Sequence, residues 1–353
     1  MSNYKNETDF KNLNKVKEIT KDFPSFIKDY INSLVTSTTT STRLGYAINI
    51  KSFLDYLVDN NSSLKSYKDI TPKVFAAIRR VDIIEYISDT SSYIDLNGNS
   101  RVSKEHGTAR KLTALRNLYQ FLAVNHEYPD ITENTAALVK MPKIREKDVI
   151  ALEKDEIQAF LKAVTGWESY LESTNQKKAL DYYLKTKYRD TAIMMLFLGT
   201  GMRISELVGI NIGDLDLNHN AVRIIRKGEK EQSVYYNDRV KKALVDYIDI
   251  ERVTLSQNAE DKTPLFYSLQ KKRITNKSVG NLVKKYATVA VPNKHITPHK
   301  LRASYATQLY DASGDIFLVS DALGHSRLET SKKYVRSKQA ARKIASEKTD
   351  DWL

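Results

Sequence analysis

The chain has 353 residues, enough for two or three domains, with 41% hydrophobic residues and no cysteine. The missing cysteines exclude disulfides, thiolate nucleophiles and zinc–cysteine sites, and fit a reducing, cytoplasmic setting. No apolar run approaches the roughly 20 residues of a membrane span, and the polar, mixed-charge start MSNYKNETDFKNLNK is unlike a signal or transit peptide. The net charge of +13 points to a polyanionic partner. It is uneven: +4 over residues 1–150, but +7 over residues 251–300 alone.

Residues 1–22 read as a loosely ordered leader or a short docking helix. From Phe23 the apolar period is helical. SFIKDYINSLV gives one helix, TSTTTSTR a loop ending in a Thr/Ser cap, and LGYAINIKSFLDYLVDN an amphipathic helix. Thr71-Pro72 starts a third helical unit with VDIIEYIS. SSYIDLNGNSRVSK reads as a polar loop. KEHGTARKLTALRNLYQFLAVNH is a long helix with Leu112, Leu115, Leu118 and Phe121 in its stripe and Arg110, Lys111 and Arg116 outside it. Residues 23–140 are therefore expected to form an all-α bundle with one basic face, and 141–152 a proline-containing basic linker.

The second domain is expected over 153–334. EKDEIQAFLKAV opens it, TGWESYLESTNQKKALDYYLKTK reads as an insertion or helical hairpin, and YRDTAIMMLFLGTG as a buried helix closed by glycines. AVRIIRK and EQSVYYN are short β-rich runs joined by Gly228-Glu229-Lys230, a hairpin in a mainly α domain with a small β component. RVKKALVDYIDIERVTL and SVGNLVKKYATVA are further helices. Thr297-Pro298 opens a helix with a stripe of Leu301, Tyr305, Leu309 and Ala312, closed by Ser313-Gly314. Asp315 caps IFLVSDAL, Gly324 stops it, and Ser326-x-x-Glu329 opens a last helix.

Several side chains in this domain carry chemistry. Arg203, at a helix start after a glycine turn, aims a guanidinium and free backbone N–H groups outward, and Glu206 can hold it in place. Taken alone, such a pair is more often a surface ion pair. Lys227 at the hairpin end can donate a proton if neighbouring cations depress its pKa; Lys230 competes with it, and both can equally be solubilising tip residues. His299 and Arg302 share one helix face. His325 lies in a sharp turn, and Tyr334 stands among Lys332, Lys333 and Arg336, well placed to meet a phosphate. Pro298 breaks the His295/His299 pair and no carboxylate lies at ligand spacing, so no metal site is expected. A serine-hydrolase elbow is also missing.

GTGMRISEL, RKGEKE, TPHKLRASYAT and LGHSRLETSKKY, with their intervals, closely resemble the tyrosine recombinases, the Xer and phage-integrase family. The pattern is Arg, hairpin Lys, His-x-x-Arg, Leu-Gly-His and a Tyr nine residues on. TRLGYAINIKSFLDYL resembles the second helix of the family's core-binding (SAM-like) domain. The HKLRASYAT region, the hairpin and the insertion look most like the single Xer recombinases of streptococci and lactococci. Val335-Arg336 departs from the Thr-His that follows the tyrosine in many members.

The resemblance implies DNA strand exchange through a 3′-phosphotyrosine, by Tyr334 with Arg203, Lys227, His299, Arg302 and His325 and with Glu206 ordering the arginines. It needs no cofactor or metal. It further implies a DNA clamp, a tetramer on two sites, a tail (335–353) that docks on a neighbouring subunit, and a possible DNA-translocase activator. Chromosome dimer resolution is the expected role, mobile-element integration the alternative, and a non-catalytic DNA-binding protein the reading from another class. Lys230, Lys271, Lys272, Arg273, Lys277, Lys284, Lys285, Arg110 and Lys111 are the candidate phosphate contacts.

Overall fold

The computed structural model describes residues 3–94, 100–102, 105–144, 149–226, 230–324 and 328–332. The chain divides into two compact units, Met1–Glu146 and Lys147–Leu353, parting within the segment read as a linker. No helix among the described residues is long and apolar enough to cross a membrane.

The first unit is helical: α1 (Asn3–Thr20), α2 (Ser25–Ser33), α3 (Thr40–Asn60), α4 (Pro72–Ala76), α5 (Arg80–Asp89) and α6 (Glu105–Val124). Of the two readings of the leader the docking helix holds, though it is long rather than short. It forms an 18-residue helix tied to α3, with Val16 buried and Asn12 Nδ2 donating to Ser41 Oγ at 3.0 Å. Part of TSTTTSTR is also helical, because Thr39 Oγ1 accepts from the Thr42 N–H and lets α3 begin at Thr40. The expected cap at Thr71 is present on α4.

The core gathers where the stripes of α2, α3 and α6 meet Phe75, which lies edge-on to Phe26 and Phe53 and stacks on Tyr119 at 4.7 Å. Burying each such side chain is worth about 1.5–3 kcal/mol. The segment read as a polar loop is an antiparallel ribbon, β1 (Ser92–Ile94) with β2 (Ser100–Val102).

The second unit contains α7 (Lys154–Thr165), α8 (Trp167–Ser173), α9 (Lys177–Leu184), α10 (Lys187–Thr200), α11 (Ile204–Gly209), β3 (Leu215–Asp216), β4 (Ala221–Ile225), β5 (Glu231–Tyr235) and α12 (Asp238–Tyr247). After a π-helical stretch, Ile248–Arg252, come α13 (Val253–Gln257), α14 (Asn276–Ala290), α15 (Pro298–Ser313), α16 (Ile316–Leu323) and α17 (Glu329–Lys332). The hairpin gains β3 as a third antiparallel strand, in the order β3-β4-β5. The insertion is the helix pair α8 and α9, seated by Trp167 edge-on to Tyr286 at 4.9 Å.

Helix α10 is the axis of this unit. Ala192, Ile193, Met194, Leu196 and Phe197 are buried between α7, α12 and α15. Its first turn is held by charge. Glu251 accepts the N–H groups of Tyr188 and Arg189 at 2.8 and 2.9 Å, and Arg189 pairs with Asp190 at 2.8 Å. Tyr286 Oη donates to the other Asp190 oxygen at 2.7 Å. All four charged or polar partners are thereby satisfied inside the unit, as burial requires.

The stripe of α15 differs from the expected one. Leu301 is buried, Tyr305 and Leu309 are half-buried and Ala312 is exposed, while Arg302, Ala303, Ser304 and Ala306 face inward. The helix packs through its N-terminal half, where Ser304 Oγ accepts from the Leu152 N–H at 2.7 Å.

Candidate active site

The α10–α11 turn sets the first element. Gly201 stops α10 in the left-handed region, at φ +61°, and its Cα lies so close to the Tyr305 ring that an added Cβ would come within 2.2 Å of it. Arg203 follows as the N-cap of α11. Glu206 accepts from the Arg203 backbone N–H and from its Nη1, both at 2.7 Å, and the carboxylate is buried while the guanidinium is half-exposed. This corrects one expectation: the Arg203 N–H is not free for an anion. The guanidinium is the group that reaches solvent, with Glu206 fixing its direction.

Arg302 on α15 is only 2% exposed. Its Nη1 donates to the Gly201 carbonyl at 2.7 Å and its Nη2 to the Leu323 carbonyl at 2.6 Å. One guanidinium therefore bridges the turn that precedes Arg203 to the C-terminal end of α16, next to Gly324 and, in sequence, His325. The negative end of a helix dipole favours such a cation. His299, one turn earlier on α15, is exposed.

A residue that the sequence reading did not single out completes the arrangement. Arg226 follows β4 and is 9% exposed. Its Nη2 donates to the Ala322 carbonyl at 2.8 Å, and its Nη1 to the same Leu323 carbonyl that Arg302 uses. Burial lowers its pKa, opposed by Glu206 and reinforced by the Arg203 charge. The strand period carried the signal, since Val222, Ile224 and Arg226 all face inward around the exposed Arg223.

Arg203, Glu206 and Arg302 are thus brought to one place, with Arg226 among them. Lys227, His325 and Tyr334 lie outside the described residues, as do the Ser326 of the expected capping box and the tail 335–353.

The candidate phosphate contacts divide by environment. Lys230, Lys271, Lys272, Lys277, Lys284 and Arg110 are exposed. Arg273 instead donates to the Val208 and Ile210 carbonyls, each at 3.0 Å, and to Asn211 Oδ1 at 2.6 Å. Lys285 lies 4.2 Å over the Tyr286 ring and 3.6 Å from Asp190, with its pKa lowered by burial. Lys111 donates to the Thr90 carbonyl at 2.9 Å, again with its pKa lowered by burial. Arg116, on the same expected basic face, binds the carbonyls of Ala136 and Ala137, each at 3.2 Å. These four cations hold their own units together, so the exposed lysines are the better placed for a polyanion.

Residues 151–341 match the model of the phage integrase family. Tyrosine recombinase XerC of Caldanaerobacter subterraneus subsp. tengcongensis is 29% identical over 319 residues, covering 88% of this chain and 83% of that protein. Tyrosine recombinase XerS of Streptococcus agalactiae is 29% identical over 352 residues, covering 95% and 98%. Among solved structures, the XerH site-specific recombinase bound to a palindromic difH substrate, a post-cleavage complex, superimposes with a TM-score of 0.63 at 21% identity, over 87% of this chain and 80% of that one. That likeness is one of fold.

Proposed function

The chain belongs to the phage integrase family, and from that premise we propose that it is a site-specific tyrosine recombinase that breaks and rejoins duplex DNA. Tyr334 Oη attacks a backbone phosphorus, the bond to the 5′ oxygen breaks, and a 3′-phosphotyrosine stores the bond energy. The pentavalent transition state gathers negative charge on the non-bridging oxygens. Arg203 and Arg302 neutralise it and His325 adds a hydrogen bond; one such donor is worth on the order of 10²–10³ in rate. Lys227 gives a proton to the departing 5′ oxygen and His299 takes the phenol proton, general acid–base roles worth roughly 10²–10⁴ each.

The observation that carries this reading is the Arg302 bridge from Gly201 to Leu323, which joins the segments bearing Arg203 and His325. An arginine buried this deeply would be a costly way merely to cap a helix. Beside a developing dianion it becomes a pre-set electrostatic clamp.

The chromosomal role, dimer resolution during chromosome partition, is supported by XerS relatives that match nearly the whole chain. On this reading the protein works in the cytoplasm as a tetramer on two DNA sites, with the first unit completing the clamp and a translocase as activator. A nicked suicide duplex tests the chemistry. Wild type should yield an adduct stable to denaturing detergent, and Tyr334→Phe none; an unchanged adduct in Tyr334→Phe would refute the assignment.

A further inference from the structure

We infer that Arg226 is a positioning residue for the cleavage step, locking the end of β4, which Lys227 follows in sequence, to the end of α16, which leads in sequence to His325. The inference rests on the recombinase reading above and concerns a side chain that reading does not use.

The geometry is specific. Arg226 is the last described residue before Lys227, and its backbone N–H closes the hairpin on the Lys230 carbonyl at 2.8 Å. Its guanidinium crosses to α16 and caps the helix through Ala322 and Leu323. Gly324, in the left-handed region at φ +59°, lies against it so closely that an added Cβ would come within 2.4 Å of Nη1. The Leu323 carbonyl is shared with Arg302. Hairpin, α16 terminus and α15 therefore meet on one oxygen, and Arg226 is the group that brings the hairpin to it.

Among the described residues its buried Nε meets no hydrogen-bond partner. A buried guanidinium is a poor stability device, whereas a fork that fixes two loops relative to each other matches Arg and not Lys. Lysine in its place keeps the charge but can satisfy only a point contact. The hairpin then samples positions in which Lys227 no longer reaches the leaving oxygen, and misplacement of about 1 Å is enough to cost on the order of 10²-fold.

The test compares wild type, Arg226→Lys, Arg226→Gln and Lys227→Ala in single-turnover adduct formation. The probe is a nicked duplex carrying the genomic site recovered by covalent trapping with wild type. Each protein is assayed on the ordinary phosphodiester and on the same duplex with a 5′-bridging sulfur, whose thiolate departs without a proton.

The inference expects both Arg226 variants to lose about 10²-fold on oxygen and to recover to within several-fold of wild type on sulfur, as Lys227→Ala does, with DNA affinity unchanged. Equal losses on both substrates, wild-type rates on oxygen, or loss of the folded state in both variants would overturn it and leave Arg226 a structural residue. Failure of wild type to form any adduct, or of sulfur to rescue Lys227→Ala, would instead strike the recombinase reading and its assignment of the acid.

Discussion

Replacing Gly201 by alanine should injure the site through a clash that can be removed separately. At φ +61° an L side chain pays about 1–3 kcal/mol in backbone strain. The new methyl would also meet Tyr305 at 2.2 Å from Cδ1 and 2.9 Å from Cγ, so the ring must move. Overpacking of this kind costs about 1–3 kcal/mol. Gly201→Ala should therefore destabilise the second unit by about 2–6 kcal/mol, read by urea unfolding in a Trp352→Phe background with Trp167 as the reporter. In a Tyr305→Ala background the ring is gone, and only the backbone part should remain, a coupling of about 1–3 kcal/mol. Because the Gly201 carbonyl holds Arg302, adduct formation should fall in the single variant and recover in part in the double one. An equal cost in both backgrounds would refute the packing argument.

Glu206→Gln should leave DNA affinity intact and slow single-turnover cleavage by about tenfold, since it weakens the contact that directs the Arg203 guanidinium. Alanine at Lys271, Lys272, Lys277 or Lys284 should flatten the dependence of log K on log salt by about 0.9 for each true phosphate contact, whereas Arg273→Ala should lower the melting temperature through its three lost bonds. Glu251 gives a pH signature, because burial pushes its carboxyl up to about 7 from 4.5. A group whose folded pKa lies above the unfolded one stabilises fully below the lower value. Stability should thus decline by about 3 kcal/mol as pH rises from 4.5 through 7. Glu251→Gln should flatten that slope in thermal melts, and a slope that survives the substitution would assign the titration elsewhere.

Much of the helical order was legible because burial and period coincide in it. The Leu112, Leu115 and Leu118 stripe, the Thr71-Pro72 start and the Asp315 cap are local signals, and each acts within one turn of chain. Helix α1 was legible only as one of two alternatives and not in its length, since its polar sequence has almost no stripe and its order comes from α3, through Asn12 and Val16. The β1–β2 ribbon carried a turn signal in Asn97-Gly98, but strands of three residues offer too few alternations to outweigh it. On α15 the expected stripe failed at Ala312 because the helix outruns its packing partners, and at Arg302 because a cation set outside the stripe is buried through bonds to distant carbonyls.

That second failure is the informative one. A buried guanidinium violates the local rule for a helix core, and it does so where the carbonyls of Gly201 and Leu323 converge from segments 101 and 21 residues away in sequence. No window of sequence contains that convergence, so spacing can name the arginine but not its partners. The same holds for Arg226, whose period-2 position marked it as inward-facing while its purpose depended on the end of α16. Local rules should break where distant segments are forced to share a polar atom, and the Leu323 oxygen, taking two arginines at once, is such an atom. If that sharing is what holds the hairpin, α15 and α16 in register, then Arg226 and Arg302 variants should show strong non-additivity in cleavage rate. Independent, additive losses would separate the two arginines and dissolve the argument for a single assembled cradle.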